Sequence, residues 1–388
     1  FIIFHPLKTT LRFTIFTTTT ALPENWNSFA STNIFLSKSY LKLLETAAPE
    51  NMTCHFIGLF NAEKLVGIAL SQFLDLSQVN SYGERDNCAK TSIRKFIFKN
   101  FSSKVLIIGN NMLTGQNAFE FDPSLEYSEG LKLLRKASIE IERKLSLKGM
   151  KTHITVFKDF EKDEASHFEI SEFQDFYQFS TQPNMVFTIP KNWNEAEDYV
   201  SALNKKYRDQ YKRARKKSEG LVKKKLSLAE IQEQEKLIYD LYYCVAKNAP
   251  FNTFYLPEKH FSNFKLQLQD NFLFYGYFEN NKMIGFNTLI KNGDVIDTYF
   301  LGYDENCQKE KMLYLNMLYD MISHSINKGF KQIIFARTAL EIKSSVGAIP
   351  EKMYGFIKHH NYFLNLFISR FFGYLEPETV WKERNPFK

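Results

Sequence analysis

One stretch of this sequence occurs twice. Phe56-Ile57-Gly58-Leu59-Phe60-Asn61-Ala62-Glu63-Lys64-Leu65-Val66-Gly67 aligns without a gap on Phe274-Tyr275-Gly276-Tyr277-Phe278-Glu279-Asn280-Asn281-Lys282-Met283-Ile284-Gly285, at an offset of 218 positions. Both copies read F-x-G-x-F-x-x-x-K-x-x-G. An apolar run of strand composition, a short polar turn and a second apolar run make the pattern of a β-hairpin. A second pair of landmarks follows in the same order. Lys148-Gly149-Met150-Lys151 leads into Thr152 to Phe157, and Lys328-Gly329-Phe330-Lys331 leads into Gln332 to Ala336. In each, a glycine sits where a left-handed cap closes a helix, and the apolar residues after it read as a buried strand. Two landmarks in one order imply a duplicated domain whose plan is hairpin, helix, strand.

The duplication divides the 388 residues into an N-terminal unit, 22–186, and a C-terminal unit, 187–388, with the boundary near Pro183 to Asn192. A chain this long exceeds one hydrophobic core, and a hydrophobic content of 44% excludes a disordered protein. In the first unit the pattern predicts a helix near Lys38 to Ala48, a strand at Val105 to Gly109, a helix at Tyr127 to Leu147 and a strand at Lys151 to Phe157. The second unit is expected to hold helices at Ala196 to Lys217 and Leu228 to Lys247, a strand at Val295 to Leu301, a helix at Lys309 to Lys328 and two further strands. Gly67 to Gly149 is 82 positions whereas Gly285 to Gly329 is 44, so the first unit carries an insertion, placed at Leu76 to Ser103.

The chemistry is bounded mainly by what is missing. Cys54, Cys88, Cys244 and Cys307 are far apart, which indicates neither a zinc site nor a disulfide framework and points to a reducing compartment. No histidine pair has H-x-x-x-H spacing, and no metal is expected. Neither a Ser/His/Asp signature nor G-x-G-x-x-G is found. No apolar run approaches a membrane span, so stable membrane insertion is not expected and a cytoplasmic location is. Lys+Arg 50 against Asp+Glu 43 leaves +7, a modest excess that fits an anionic partner.

The order helix, hairpin, third strand, long helix, strand, present twice, resembles the tandem GNAT acetyltransferases of the Fem-like peptidoglycan aminoacyltransferase type. Two stretches carry the resemblance. Leu203-Asn204-Lys205-Lys206-Tyr207-Arg208-Asp209-Gln210-Tyr211-Lys212-Arg213-Ala214-Arg215-Lys216-Lys217 looks like the basic helix that opens the family's second domain, and Lys343-Ser344-Ser345-Val346-Gly347-Ala348 is similar to its Lys-x-x-x-Gly-Ala stretch. The resemblance implies an α+β protein of two tandem GNAT-like domains, each a mixed, mostly antiparallel sheet flanked by helices. It implies transfer of an activated acyl or aminoacyl group to an amine acceptor, in cell-wall or lipid biosynthesis, with acyl-CoA or aminoacyl-tRNA as donor and tRNA as a candidate partner. One departure stands out: Asp304-Glu305-Asn306-Cys307-Gln308-Lys309-Glu310-Lys311 holds no glycine where a coenzyme A-binding domain has its pyrophosphate loop. This disfavours ordinary acetyl-CoA and suits the aminoacyl-tRNA branch. The alternative is a non-catalytic protein that binds nucleic acid or an anionic precursor on the same scaffold.

Candidate site residues fall in three places. Asp297 and Tyr299 alternate onto one face of a strand that borders the expected cleft, where a carboxylate or phenolate could take the proton of an amine nucleophile. The resemblance, with its place near the end of a strand, gives Lys343 a substrate-facing role in which it could stabilise a developing oxyanion, and Tyr303, just beyond the strand that carries Asp297, is a substrate-contact candidate. Arg208, Lys212 and Arg215, at i, i+4 and i+7 of a helix, would share one phosphate-binding face. Each has a plainer reading: a solvated helix face for the cations and solvent-side polar positions for the strand residues.

Overall fold

The computed structural model describes residues 11–79, 101–180, 182–249, 252–370 and 381–388. Most of the expected insertion, 80–100 with Cys88, lies outside the described residues. The strands are β1 (Leu11–Phe16), β2 (Met52–Asn61), β3 (Lys64–Asp75), β4 (Lys104–Ile108), β5 (Phe119–Phe121), β6 (Ile154–Phe160), β7 (Tyr177–Ser180), β8 (Asn184–Thr188), β9 (Val222–Lys225), β10 (Phe272–Glu279), β11 (Lys282–Asn292), β12 (Val295–Tyr303), β13 (Gln332–Ala336), β14 (Ile349–Glu351) and β15 (Tyr354–His359). They form two mixed, mostly antiparallel sheets ordered β1-β2-β3-β4-β6-β15-β7 and β14-β8-β13-β12-β11-β10-β9, with β5 added to β3. Ten helices matter for the site and its supports: α1 (Lys38–Ala47), α2 (Tyr127–Leu147), α3 (Ala196–Ala202), α4 (Lys205–Lys217), α5 (Glu235–Ala246), α6 (His260–Leu268), α7 (Glu305–Lys311), α8 (Leu313–Asn327), α9 (Leu340–Ser345) and α10 (Tyr362–Leu366).

The repeated motif is the hairpin β2–β3 in one sheet and β10–β11 in the other. Its register shifts at the same point in both copies, between Leu59 and Phe60 and between Tyr277 and Phe278. The spacing F-x-G-x-F has a steric cause. A Cβ on Gly58 would lie 2.9 Å from the Phe60 ring, and one on Gly276 would lie 2.8 Å from the Phe278 ring. Each glycine clears the surface over which the phenyl ring two residues later folds.

The two sheets have the same order once β8 and β15 are recognised as equivalents. Sequence order would give β8 to the first sheet, yet it pairs with β13 in the second; β15, at the far end of the second unit, pairs with β6 and β7 in the first. Each half therefore lends one strand to the other. A division at 186/187 follows the chain but not the sheets, because β8 straddles it and β15 returns across it. Local periodicity marks β15 as a strand and carries no information about its partner.

Three of the expected helices are broken. The span Ala196 to Lys217 splits at Leu203-Asn204, where the Asn204 side chain caps α4 by accepting from the Tyr207 N–H. Leu228 to Lys247 breaks at Gln234. Lys309 to Lys328 breaks at Met312, whose left-handed φ of 48° ends α7 and starts α8. The expected strand at Lys151 lies three residues further on, at Ile154–Phe160.

Each sheet has its own apolar core, and a third core lies between them. That third core joins Leu41, Leu44, Phe56 and Phe60 of the first half to Tyr242, Phe261, Phe264, Phe274 and Phe286 of the second. In the first half, Phe157, Phe160, Phe168 and Phe173 pack around Phe356 of the lent strand β15, and Phe168 stacks on Phe356 at 4.2 Å. A fragment ending at residue 183 would leave β6 unpaired on that side and this aromatic cluster open. It is expected to aggregate when expressed alone and to stay in solution when co-expressed with 184–388, as a pull-down and size-exclusion profile would report.

Candidate active site

In the second half, β12 and β13 run parallel for three residue pairs, Val295 with Gln332, Ile296 with Ile333 and Asp297 with Ile334. Beyond Asp297 they part. The opening is a cavity of about 670 Å³ walled by Asp297 to Leu301, by the turn from Ile334 to Ala339, and by Ile342 and Lys343 of α9. Tyr314, Leu318 and Met321 of α8 close one side, Tyr242, Val245 and Ala246 of α5 another, and the first half contributes Asn111 to Thr114 and Lys158. The cleft is thus built jointly by both halves, and three of the residues singled out in the sequence as candidates for the chemistry, Asp297, Tyr299 and Lys343, meet in it.

Asp297 is buried, and its Oδ2 has no hydrogen-bond partner. Burial pushes its carboxyl up from 3.8 to about 7, against a smaller opposing effect of the Asn292 side chain. Lys343 is 5% exposed, and burial lowers its ammonium to about 7. Its Nζ donates to the Ala336 carbonyl at 3.2 Å and the Arg337 carbonyl at 2.6 Å, which leaves one N–H uncommitted. Among the described residues no carboxylate forms an ion pair with it. Asp297 and Lys343 thus line one cavity, each buried and each displaced by that burial toward neutrality.

Tyr299 has a different position in the chemistry. Its hydroxyl is 3.0 Å from His260 Nε2, its ring stacks on Phe264 at 4.7 Å, and burial holds it well above the usual phenol range. Burial lowers His260 to about 3, so the ring is neutral. Tyr299 therefore stays a phenol and is tied to a neutral imidazole, which suits wall building or hydrogen-bond donation rather than the phenolate base the sequence allowed. Tyr303, half-buried, lines the same cavity beside Tyr314 at 6.3 Å.

The basic helix lies elsewhere and is not uniform. Arg215 Nη1 is 2.7 Å from Asp320 Oδ1 on α8 and 3.3 Å from Asn316 Oδ1, and its guanidinium sits over the Tyr211 and Tyr319 rings. Arg208 Nη2 donates to the Leu203 carbonyl at 2.7 Å. Of the expected triad only Lys212 is exposed and outside any ion pair, so Arg208, Lys212 and Arg215 do not present one free face. The helix keeps a solvent-facing set: Lys205, Lys206, Lys212, Arg213, Lys216 and Lys217.

FemX superposes on this architecture with a TM-score of 0.53, covering 89% of this chain and 98% of that one at 13% identity. A conserved protein of unknown function from Bacteroides thetaiotaomicron gives 0.51 over 88% of this chain and 98% of its own at 10% identity. The chain has the Fem-like tandem GNAT fold. A tandem GNAT protein from the clavulanic acid biosynthesis pathway matches 90% of this chain and 98% of its own at 9% identity and a TM-score of 0.48. No family model and no curated protein matches the sequence.

The helix after β12, α7, begins directly behind Tyr303 and Asp304. Here Asp304 caps that helix, and its Oδ1 accepts from the backbone N–H groups of Asn306 at 2.9 Å and Cys307 at 3.5 Å. The carboxylate thus satisfies the first amides of that helix, in the stretch where the sequence holds no glycine. Among the described residues no helix is long and apolar enough to cross a membrane, and no group of three His, Cys, Asp or Glu could hold a metal ion.

Sequence reasoning missed the pair that fixes the two sides of the cleft. Lys158 Nζ donates to the carbonyls of Asn110 at 3.0 Å and Leu113 at 3.1 Å, and pairs with Asp159, which in turn pairs with Arg337 of the second half. The signal was available: two adjacent charged residues near the end of the apolar strand Ile154–Phe160 cannot both face solvent. Around Arg337 the backbone is strained, with φ of 58°, 70° and 47° at Ala336, Thr338 and Ala339, left-handed values that cost non-glycine residues about 1 kcal/mol or more each.

The displaced Asp297 has a consequence for stability. Between pH 4 and pH 7 the folded protein keeps a proton that the unfolded chain releases, so this residue's contribution falls as pH rises through that window and is at its lowest above it. Asp297→Asn is expected to melt above the parent at pH 8 and to lose that advantage at pH 4. At about 1.4 kcal/mol per pH unit the upper bound is ~4 kcal/mol. Melting temperatures across that range check it; equal values at pH 8 would mean the carboxylate is solvated.

Proposed function

We propose that this protein is an N-acyltransferase that passes an activated acyl or aminoacyl group to an amine acceptor in the cleft between its halves. The observation that carries the reading is the buried Asp297 carboxylate beside the parting strands β12 and β13, whose Oδ2 has no hydrogen-bond partner, in the cavity that also holds Lys343. A neutral amine attacks the donor carbonyl carbon. Its proton passes to Asp297, while the spare N–H of Lys343 meets the oxygen that gains charge. Collapse of the tetrahedral intermediate expels the thiol or hydroxyl of the donor, which takes up the proton, so no covalent enzyme intermediate is needed. The walls of Tyr242, Phe300, Leu318 and Met321 keep water from competing for the carbonyl.

The occupied N-terminus of α7 argues against a pyrophosphate held in the manner of coenzyme A, and the exposed cations of α4 favour a large polyanionic donor such as an aminoacyl-tRNA. A melting-temperature screen against acetyl-CoA, a long-chain acyl-CoA, free CoA and charged tRNA separates these donors, since a ligand of the folded state raises the midpoint. A salt-sensitive shift with charged tRNA and none with the CoA compounds is expected; a salt-insensitive shift with an acyl-CoA would overturn the donor assignment. Charge reversal at Lys212 and Lys216 should then weaken tRNA binding and reduce its salt dependence.

Turnover makes the sharper prediction. The reaction needs Asp297 ionised and Lys343 protonated, and in the free protein both are displaced to about 7, so kcat/KM should follow a narrow bell centred there. Asp297→Asn is expected to lower kcat by about 10²–10⁴-fold with little change in KM, and Lys343→Ala by about 10²-fold. A variant at Asp297 that keeps both kcat and the acid limb of the profile would remove the assignment of the base.

A further inference from the structure

Lys343 stands on α9, a helix of six residues. So short a helix has too few internal hydrogen bonds to hold its own orientation, so what grips it from outside decides where the ammonium points. The grip comes from Trp381–Lys388. Arg384 Nε donates to Glu341 Oε1 at 3.0 Å, with a second contact from Nη2, and the Arg384 N–H donates to Ser344 Oγ at 3.0 Å. Glu341 and Ser344 lie three residues apart on one side of α9, and Lys343 leaves from another.

The same segment pins the residue that follows the helix. Gly347 has φ of 105°, and a Cβ there would come 2.5 Å from the Phe387 ring. That ring packs 6.0 Å from Tyr199, whose hydroxyl donates to the Val346 carbonyl at 3.1 Å. The segment is itself anchored at the α3–α4 junction, where the Asn204 N–H donates to the Pro386 carbonyl at 2.9 Å and Leu203 bridges to Phe387. It therefore ties the start of the basic helix to the helix that carries Lys343.

We infer that Arg384 and Phe387 are positioning residues, a strap that holds α9 so that Lys343 stays inside the cleft against the carbonyls of Ala336 and Arg337. The inference rests on the reading of Lys343 as the cation of the cleft, and its test needs no turnover. The titratable and charged groups facing Lys343 across the cavity are Asp297, Tyr299 and Tyr303 of β12, Tyr242 of α5, Tyr314 of α8, Arg337 of the turn and Lys158 of the first half. None of them is ion-paired with it, so its ionisation reports how deeply it is held.

The experiment is pH-dependent acetylation of the folded protein by a small amine-directed reagent, with Lys343 quantified by peptide mass spectrometry. Tested beside the parent are Arg384→Ala, Phe387→Ala and, as the milder change, Glu341→Gln. Loosening the strap lets water reach the ammonium, so the midpoint of Lys343 labelling should move up by at least about one pH unit, while exposed lysines such as Lys212 label as in the parent. Where Arg384→Ala or Phe387→Ala does not fold, as circular dichroism would show, Glu341→Gln carries the test. An unchanged Lys343 midpoint in a folded variant overturns the proposal and leaves the segment a structural brace. If the variants show the shift while the parent protein itself transfers no acyl group, the proposed function fails and the strap stands.

Discussion

The backbone ladders that β8 and β15 form with the opposite half hold the rest of the molecule in place. Had each half kept its own strand, the two domains would meet only through side chains, and their relative placement could slide. With β8 paired to β13 and β15 paired to β6, backbone hydrogen bonds fix each half against the other. The parting of β12 from β13 then always faces the same loop, Asn110 to Thr114, of the first half. A cleft built from two domains keeps its geometry only because neither domain is complete without the other.

That rigidity matters because the cleft carries charges that would prefer water. Asp297 and Lys343 are each buried without an ion-pair partner, and both are displaced toward neutrality by burial. Charged groups of this kind cost stability, and surroundings free to relax would admit solvent and bring both back to ordinary values. The strained turn from Ala336 to Ala339 shows how the surroundings resist: its carbonyls accept from Lys343, and Arg337 locks it to Asp159 of the other half. The unfavourable φ values, the buried cation and the inter-half ion pair are one connected device.

The sequence made the repeat visible because a hairpin is local: its partner strands lie within twelve residues and its glycines answer to a ring two positions away. The exchange of β8 and β15 was invisible for the opposite reason, since alternation identifies a strand and says nothing of what lies beside it. Asp297 and Lys343 could be singled out as polar groups within apolar elements and by likeness to a family pattern. The same reasoning misjudged Arg215, whose partner Asp320 is 105 residues away, and passed over Lys158 and Asp159, whose charges only make sense once Arg337 is seen across the interface. Helix breaks at Leu203, Gln234 and Met312 were missed because no proline or glycine marks them; capping by Asn204 and a left-handed Met312 do the work.

Duplication would give two clefts, yet the described structure puts this machinery in one. At the equivalent parting of β4 and β6, the ammonium of Lys158 fills the space between the Asn110 and Leu113 carbonyls and is neutralised by Asp159. Phe157, Phe160, Phe168 and Phe173 close over Phe356 behind it. All three donor positions of Lys158 are spent on the protein, whereas Lys343 retains one. In the first half Lys158 is a structural cross-link, and the loop it holds reaches the second half's cleft through Asn111 to Thr114.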